Sequence, residues 1–300
     1  MAGFAIIEAP SVLGLFPGGV EQLPGVLLDA GLADAIGARH AGRVEPPPYD
    51  PTRDPATGML NPMTLRAYAY ELADATGKVL DAGDFPIVLG GDCSIVLGNL
   101  LALQRRGRHG LLFIDGHADF YQPEAEPSGE AASMDLALAT GRGPAVVTEF
   151  DGGSPLVLDE DVVQFARRDA EEADEAGSQR IEDTPIRVID LEDVRERGVE
   201  PSAHEAVEWL LRPELDGFWV HLDCDALDDD AMPAVDYRLP GGLGWDELET
   251  VLQLALESGG AVGLEVTIFN PLLDSDGSIA HTLTRCLARS LARHKPTQHP

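Results

Sequence analysis

The chain contains very little lysine. Only Lys78 and Lys295 occur among 300 residues, and 21 basic residues stand against 52 acidic ones, which gives a formal net charge of -31. A protein that binds nucleic acid needs a basic patch that neutralises phosphates, so this charge argues against a nucleic-acid partner. We interpret most of the acidity as a solvated surface and a smaller part as carboxylates gathered around cations.

Cysteine and long apolar stretches are also scarce. The three cysteines, Cys93, Cys224 and Cys286, are widely spaced and odd in number, so we expect no disulfide framework and a reducing compartment. The N-terminal stretch MAGFAIIEAP lacks the basic start and the apolar length of a signal peptide. No segment approaches the roughly 20 apolar residues that span a bilayer. We therefore expect a soluble, cytoplasmic protein that has no membrane partner.

Short apolar runs alternate with helix-like stretches along the chain. This alternation is typical of an α/β protein in which helices cover both faces of a parallel sheet. We predict strands within seven runs, which are FAIIEA, FPIVLGG, GLLFIDGH, VVQFAR, PIRVIDL, GFWVHLDCD and AVGLEVTIF. Helices are predicted within residues 61–83, 94–107, 244–259 and 278–294, and surface loops at residues 43–62 and 121–135. Because no repeat or linker is visible, a single domain over residues 1–300 is expected.

Polar residues follow three of the predicted strands, at the edge where parallel sheets bind ligands. They are Cys93 after the first, Asp115, His117 and Asp119 after the second, and Asp223 and Asp225 after the third. Residues two apart in an extended chain point to the same side, so the acids of each stretch can converge. Buried carboxylates are unfavourable without a cation, and a carboxylate-rich set with a histidine suits Mn2+. Each stretch alone is common as a turn or cap, but together they predict a metal site.

In this order the motifs resemble those of the ureohydrolases, the family of arginase, agmatinase and formiminoglutamase. The likeness begins at PGGVEQLPGVLLDAGL and continues through GGDCS, DGHAD, ARRDAEE, HLDCDALDDDAMPA and GLEVTIFNP, so it covers nearly the whole chain. The resemblance implies a three-layer α/β/α sandwich with a mainly parallel sheet, two Mn2+ ions at one edge of that sheet, and a homo-oligomer, either a trimer or a hexamer.

The resemblance also implies a role for each residue of the metal site. Asp115 and Asp223 would bridge the two ions, and His117 and Asp225 would complete one of them. Asp119 would bind the other ion and accept a hydrogen bond from the bridging hydroxide. Two ions lower the pKa of the water that they share, and the resulting hydroxide would attack the planar carbon of a guanidino or amidino group and expel an amine.

Cys93 stands where the family pattern Gly-Gly-Asp-His-Ser has a histidine, and three interpretations stay open. The residue could be a small buried thiol that leaves one metal a ligand short. It could instead be a thiolate ligand, which would favour an ion softer than Mn2+. A third interpretation is membership of a related subgroup that acts on hydroxyguanidines, whose members resemble this chain in having cysteine here.

Position 268 indicates a change of substrate. Ile268 occupies the place of the family glutamate that holds the guanidinium, and Glu265, three residues earlier, would turn to the opposite face of the strand. A buried guanidinium without a carboxylate partner is unfavourable. We therefore expect a small guanidino or amidino substrate other than arginine.

The loop that follows the DGHAD stretch differs from the family as well. Ala132 stands where arginases have a histidine that passes a proton to the leaving amine. We expect Glu130 to take over that catalytic step, in preference to His204 or His281, because Glu130 lies in the altered loop itself. The resemblance also implies substrate contacts at three further residues, which are Ser128, Asp169 and Glu171.

These observations predict a metal-dependent hydrolase of linear C–N bonds. A mononuclear Zn2+ amide hydrolase is an alternative, because histone deacetylase-like enzymes resemble arginases in fold and because Cys93 and Ile268 depart from the ureohydrolase pattern. A non-catalytic family member that one metal stabilises is a second alternative. Retention of both Asp119 and Asp225 favours two ions and hence the ureohydrolase prediction.

Overall fold

The centre of the computed structural model, which describes residues 3–294, is an eight-stranded sheet. In chain order its strands are β1 (Phe4–Ala9), β2 (Arg39–Arg43), β3 (Phe85–Gly90), β4 (Gly110–Ile114), β5 (Val162–Phe165), β6 (Arg187–Ile189), β7 (Phe218–Asp223) and β8 (Ala261–Thr267). They lie in the order β2-β1-β3-β8-β7-β4-β5-β6, and every neighbouring pair is parallel. This order brings β3, β8, β7 and β4 side by side at the middle of the sheet.

Helices connect the strands, as parallel pairing requires. In chain order they are α1 (Leu23–Asp29), α2 (Leu32–Ile36), α3 (Pro62–Asp81), α4 (Val96–Gln104), α5 (Asp135–Ala139), α6 (Ala145–Thr148), α7 (Ala170–Ala176), α8 (Leu191–Arg197), α9 (Val199–Leu210), α10 (Trp245–Glu257) and α11 (Ser278–Leu291). Local signals set several boundaries. Proline occupies the first position of α3, and Asp190 and Asp193 form a capping box at the start of α8.

Two apolar cores lie on opposite faces of the sheet. One contains residues of α1, α2, α8, α9, α10 and α11 together with Ile87, Leu112 and Leu222. The other contains residues of α3, α4, α5 and α6 together with Phe113 and Trp219. Alternate strand residues enter opposite cores because successive side chains of a strand point to opposite faces. The predicted three-layer α/β/α sandwich with a parallel sheet is therefore confirmed.

The predicted strands and helices occur where the periodicity placed them, but strand β2 and the helices α1, α2 and α5 to α9 were not among those predicted. Each of the seven apolar runs contains a strand, and the four predicted helical ranges contain α3, α4, α10 and α11. Strand β2 was not predicted, because its residues Arg39–Arg43 are polar and lie at the edge of the sheet, where they pair with β1 alone. Among the described residues, no helix is both long enough and apolar enough to cross a membrane.

Candidate metal centre

The predicted metal-ligand residues meet at the carboxyl edge of the four central strands. Asp223 is the last residue of β7, the others lie in the loops that follow β3, β4 and β7, and the end of β8 closes the same edge. Gly91 makes the first loop possible, since a Cβ at this position would lie 1.8 Å from the backbone oxygen of Ser11. The Gly91 carbonyl accepts a hydrogen bond of 2.9 Å from the N–H of Ile268 and so ties the ends of β3 and β8 together.

Short turns aim the carboxylates inward. Asp115 accepts a hydrogen bond of 2.6 Å from the N–H of His117, and Asp223 accepts one of 2.7 Å from the N–H of Asp225. Asp119 adopts the left-handed backbone region, with φ of 43°. Its carbonyl accepts hydrogen bonds from the N–H groups of Leu136 and Ala137 in α5. Each of these acids is almost completely buried.

The ligand atoms form two groups that share Asp115. The outer cluster consists of Asp115, His117 and Asp225, with His117 Nδ1 at 2.9 Å from Asp225 Oδ2. The inner cluster consists of Cys93, Asp115, His221 and Asp223. Within each cluster the candidate ligand atoms lie no more than 4.8 Å from one another. A further set, Cys93 with Asp119 and Asp135, adjoins the inner cluster through Cys93 and satisfies the same distance limit.

Burial and mutual repulsion oppose ionisation of these acids when no cation is bound. Burial, reinforced by Asp225, raises the pKa of Asp115 to about 6. Burial also raises the pKa values of Asp119, Asp135 and Asp223 well above the ordinary value, and neighbouring carboxylates add to each shift. Burial acts in the same direction on Asp225, but His117 outweighs it, so the pKa of Asp225 is lowered.

Several buried oxygens in this region have no hydrogen-bond partner among the described residues. They are Asp115 Oδ2 and both carboxylate oxygens of Asp135. Unsatisfied buried polar atoms are unfavourable, and a divalent cation would compensate for them while favouring the ionised carboxylates. The donor set of carboxylates with imidazole therefore fits a divalent metal centre.

Cys93 lies inside this region and not at its margin. Its side chain is 1% exposed, its Sγ donates a hydrogen bond of 2.8 Å to Asp223 Oδ2, and the hydroxyl of Thr267 lies 3.1 Å away. Burial, followed by the negative charge of Asp223, raises the pKa of the thiol well above its usual range. The residue is therefore a thiol in the cation-free protein, and it is placed where a metal could displace its proton.

A cavity of about 290 Å³ opens onto the clusters. His117, Asp119, Asp223 and Asp225 line its inner end, and Cys93 also reaches it. Ala132 and Ile268 form apolar parts of the wall. Three glutamates outside the clusters also line the cavity, and these are Glu126, Glu130 and Glu172.

Glu130 is the buried member of these three glutamates. Its carboxylate accepts hydrogen bonds from the N–H of Phe16 at 2.9 Å and from the hydroxyl of Tyr237 at 2.8 Å, and the residue is 1% exposed. These two donors fix the carboxylate in the wall of the cavity. His204 and His281 instead lie exposed on α9 and α11, and neither lines the cavity.

The remaining residues that were expected to contact substrate lie apart from the cavity lining. The Ser128 hydroxyl accepts a hydrogen bond from the N–H of Glu130, so it shapes the loop. Asp169 is buried and accepts a hydrogen bond from the N–H of Ala118. Glu171 is exposed on α7, and its neighbour Glu172 lines the cavity in its place.

Sequence reasoning missed His221, Glu265 and Asp135 as members of this region. Glu265 and His221 lie opposite each other in the pairing of β7 with β8, and their side chains are joined by a hydrogen bond of 2.6 Å. His221 precedes Asp223 by two residues, so strand alternation was the signal that pointed to the same face. Asp135 begins α5 and carries no comparable pattern in the sequence.

Comparison with known proteins agrees with the fold. The family described as the arginase family matches residues 31–294. An arginase of Staphylococcus aureus (strain MRSA252) is 28% identical over 286 residues, which is 93% of each chain. The crystal structure of arginase from Bacillus cereus has a TM-score of 0.86 and 26% identity, and the match covers 99% of this chain and 100% of that one.

A more distant structure supports the fold alone. Proclavaminate amidino hydrolase from Streptomyces clavuligerus has a TM-score of 0.71 at 19% identity, and the match covers 98% of this chain and 92% of that one. The family match extends over most of the chain, and the central strands carry buried acids at the edge where metal ligands were expected. The chain therefore belongs to the arginase family, and it is a hydrolase that acts on C–N bonds other than peptide bonds.

Proposed function

We propose that the protein hydrolyses the amidino or guanidino group of a small cationic molecule. We propose further that it uses two divalent ions and that Mn2+ is the preferred ion. The observation that carries this proposal is the pair of ligand clusters, inner and outer, that share Asp115 beside one cavity. Oxygen donors dominate both clusters, and such donors suit Mn2+. The bound ions would lower the pKa of a water molecule and so supply a nucleophile near neutral pH.

The side chains of the site hold and orient the reacting groups. Asp115 belongs to both clusters and Asp223 to the inner one, while Asp225 and His117 fix each other through their 2.9 Å contact. Ala132 and Ile268 provide apolar wall in the cavity that these acids also line. A planar amidinium is small enough to enter such a space with its carbon facing the clusters.

The charge of the cavity favours a cationic substrate without a carboxylate. Glu126, Glu130 and Glu172 add negative charge beyond the metal ligands, and no lysine or arginine occurs among the described residues that line the cavity. An amino-acid carboxylate would meet these glutamates without a basic partner, which is unfavourable. We therefore propose a guanidino or amidino amine as substrate, and not arginine.

We assign two tasks to Glu130. Its carboxylate is fixed by Phe16 and Tyr237 within the wall, so it offers a negative charge to the amidinium without reorganising. Several buried acids line the cavity. Among the described residues, Glu130 is the only one of them that belongs neither to the two ligand clusters nor to the set of Cys93, Asp119 and Asp135. For that reason we propose that this carboxylate takes up the proton that the attacking water loses and passes it to the leaving amine.

A substrate panel tests this function. The purified protein is stripped of metal, reloaded with Mn2+, and supplied with guanidino and amidino compounds that either carry or lack a carboxylate. Release of urea or ammonia is measured. We expect turnover with carboxylate-free amines and a lower kcat/KM with arginine. Preference for arginine would overturn the proposed substrate class, and no release from any compound would overturn the proposed reaction.

Two adjacent glutamates provide a matched pair of variants. Both are exposed on α7, but Glu172 lines the cavity and Glu171 does not. We expect Glu172→Gln to raise KM for a cationic substrate about threefold to tenfold, and Glu171→Gln to leave KM unchanged. Equal effects from both variants would show that net charge, and not a contact in the cavity, selects the substrate.

A further inference from the structure

The imidazole of His221 is fixed as metal-binding histidines are. The residue is completely buried in β7, and its ring stacks on Phe113 with a centroid distance of 4.3 Å and an interplanar angle of 6°. Nδ1 lies 2.6 Å from Glu265 Oε1. A carboxylate that accepts the Nδ1 proton leaves Nε2 with a free lone pair, and this arrangement orients ligating histidines in metalloproteins.

A chain of hydrogen bonds fixes the carboxylate in turn. Asn99 donates through Nδ2 to Glu265, and the hydroxyl of Thr76 donates to Asn99 Oδ1 at 2.8 Å. The hydroxyl therefore orients the amide, and the amide orients the carboxylate that holds His221. The four side chains that these hydrogen bonds connect are fully buried. Such a relay is more than a core needs to satisfy one histidine, but it is what a ligand of fixed orientation requires.

The free end of the imidazole faces other candidate ligands. His221 Nε2 has no hydrogen-bond partner among the described residues, and it lies 3.9 Å from Asp115 Oδ2, which likewise has none. Strand alternation brings Asp223 to the same side of β7. One ion placed between these atoms would satisfy the two orphaned atoms together.

We propose that His221 is a metal ligand of the inner cluster and that Asp115 and Asp223 bind the same ion. His221 supplies the nitrogen donor of a cluster whose other members are carboxylates and the Cys93 thiol. Glu265 and Asn99 act as positioning residues, because they reach the ion only through the imidazole. This proposal rests on the metal dependence of the proposed function, and it identifies the histidine through which the inner ion is held.

Metal titration of the full chain tests this role without an activity assay. Metal-free protein is titrated with Mn2+ by calorimetry and with Co2+ by visible absorption. The variant His221→Phe keeps a planar ring against Phe113 and removes the nitrogen. We expect the wild type to bind two ions, and the variant to bind one ion with unchanged affinity and the other at least 100-fold more weakly. The visible absorption of Co2+ bound to the variant should also differ from that of the wild type. His204→Phe, on the exposed face of α9, is the control and should match the wild type.

A second variant keeps the test decisive if the first fails to fold. In Glu265→Gln the amide keeps the shape of the carboxylate. Because Asn99 presents its Nδ2 donor, the amide oxygen of Gln would turn to Asn99 and its NH2 to His221 Nδ1, which moves the imidazole proton to Nε2. We expect about 10- to 100-fold weaker binding of one ion.

The outcomes separate this inference from the proposed function. If both variants bind two ions with wild-type constants and an unchanged Co2+ spectrum, His221 is a structural residue and the inference is wrong, while the proposed function stands. If the wild type binds no Mn2+ and no Co2+, the metal dependence of the proposed function fails. Weaker binding of one ion in either variant supports the inference.

Discussion

Without metal, the protein should lose stability as the pH rises from 5 to 8. Burial raises the pKa of Asp115 from 3.8 to about 6, so the folded state binds more protons there than the unfolded state between these two values. Stability falls with pH wherever the folded state binds more protons. A shift of this size corresponds to roughly 3 kcal/mol, lost as the pH rises through about 4 to 6.

The neighbouring groups act in the same direction above this window. The pKa values of Asp119, Asp135 and Asp223 are raised further, so their deprotonation costs folded stability at still higher pH. Burial lowers the pKa of His117, but Asp225 and Asp115 outweigh it and raise the value well above 6.5. The stability that His117 contributes is therefore present below 6.5 and is lost as the pH rises through the folded value.

Urea unfolding of metal-stripped protein at pH 5, 6, 7 and 8, with and without Mn2+, measures this effect. We expect the midpoint to fall with pH in the metal-free series and to stay level or rise with Mn2+, because the ion binds the ionised groups of the folded state. Repulsion among the acidic surface groups also grows with pH, so Asp115→Asn is the necessary comparison. Metal-free wild type and this variant should differ in slope between pH 5 and 7, and equal slopes would refute the reasoning.

Two further predictions concern the loop after β3 and the cavity wall. Gly91→Ala should destabilise the protein by about 3 kcal/mol or more, since the new Cβ would lie 1.8 Å from Ser11 O. Gly25 lies at an exposed and open position in α1, so Gly25→Ala should instead stabilise the protein by roughly 0.5–1 kcal/mol. Thermal unfolding of both variants checks this contrast, and a mild effect at Gly91 would contradict it. Glu130→Gln keeps the Tyr237 contact but removes the negative charge. Steady-state kinetics should therefore show KM rising about tenfold and kcat falling. An unchanged KM would contradict the proposal that Glu130 holds the cationic group of the substrate.

The fold was predictable because its central strands are apolar runs of the expected length. The exception, β2, shows the limit of that signal. Arg39–Arg43 is polar and partly exposed, and only its backbone pairing with β1 makes it a strand. Strand order was not predictable from periodicity either, since it depends on which helices cover which face. The local pattern predicted helices on both faces of a parallel sheet, and the ureohydrolase resemblance implied the same three-layer arrangement.

The candidate site was predictable where ligands follow strands at alternate positions, as at Asp115 and His117. The contact of His221 with Glu265 was not predictable, because it depends on the register between β7 and β8 and the two residues are far apart in sequence. In the sequence His221 is one polar residue within an apolar run. Burial, the orphaned Nε2 atom and the stacking on Phe113 distinguish it only in three dimensions.

Position 93 provides a test of two possibilities for the inner cluster. Either it lacks the nitrogen ligand that a histidine at this position would supply, or His221 supplies that ligand instead. If His221 supplies the nitrogen, Cys93→His should not tighten metal binding. The larger side chain would enter a space where Sγ already lies 2.8 Å from Asp223 and 3.1 Å from Thr267, and overpacking of this kind costs about 1–3 kcal/mol.

The double variant Cys93→His/His221→Ala reverses this expectation. It frees the space that the second imidazole occupied and returns one nitrogen donor to the cluster, so it should bind the inner ion more tightly than His221→Ala alone. A double-mutant cycle of Mn2+ affinities measures the coupling between the two positions. If Cys93→His alone tightens binding while His221 is intact, then the cluster lacked a ligand at position 93 and His221 was not its replacement. If the two changes compensate, one nitrogen donor serves the inner ion, and in the native chain it comes from β7.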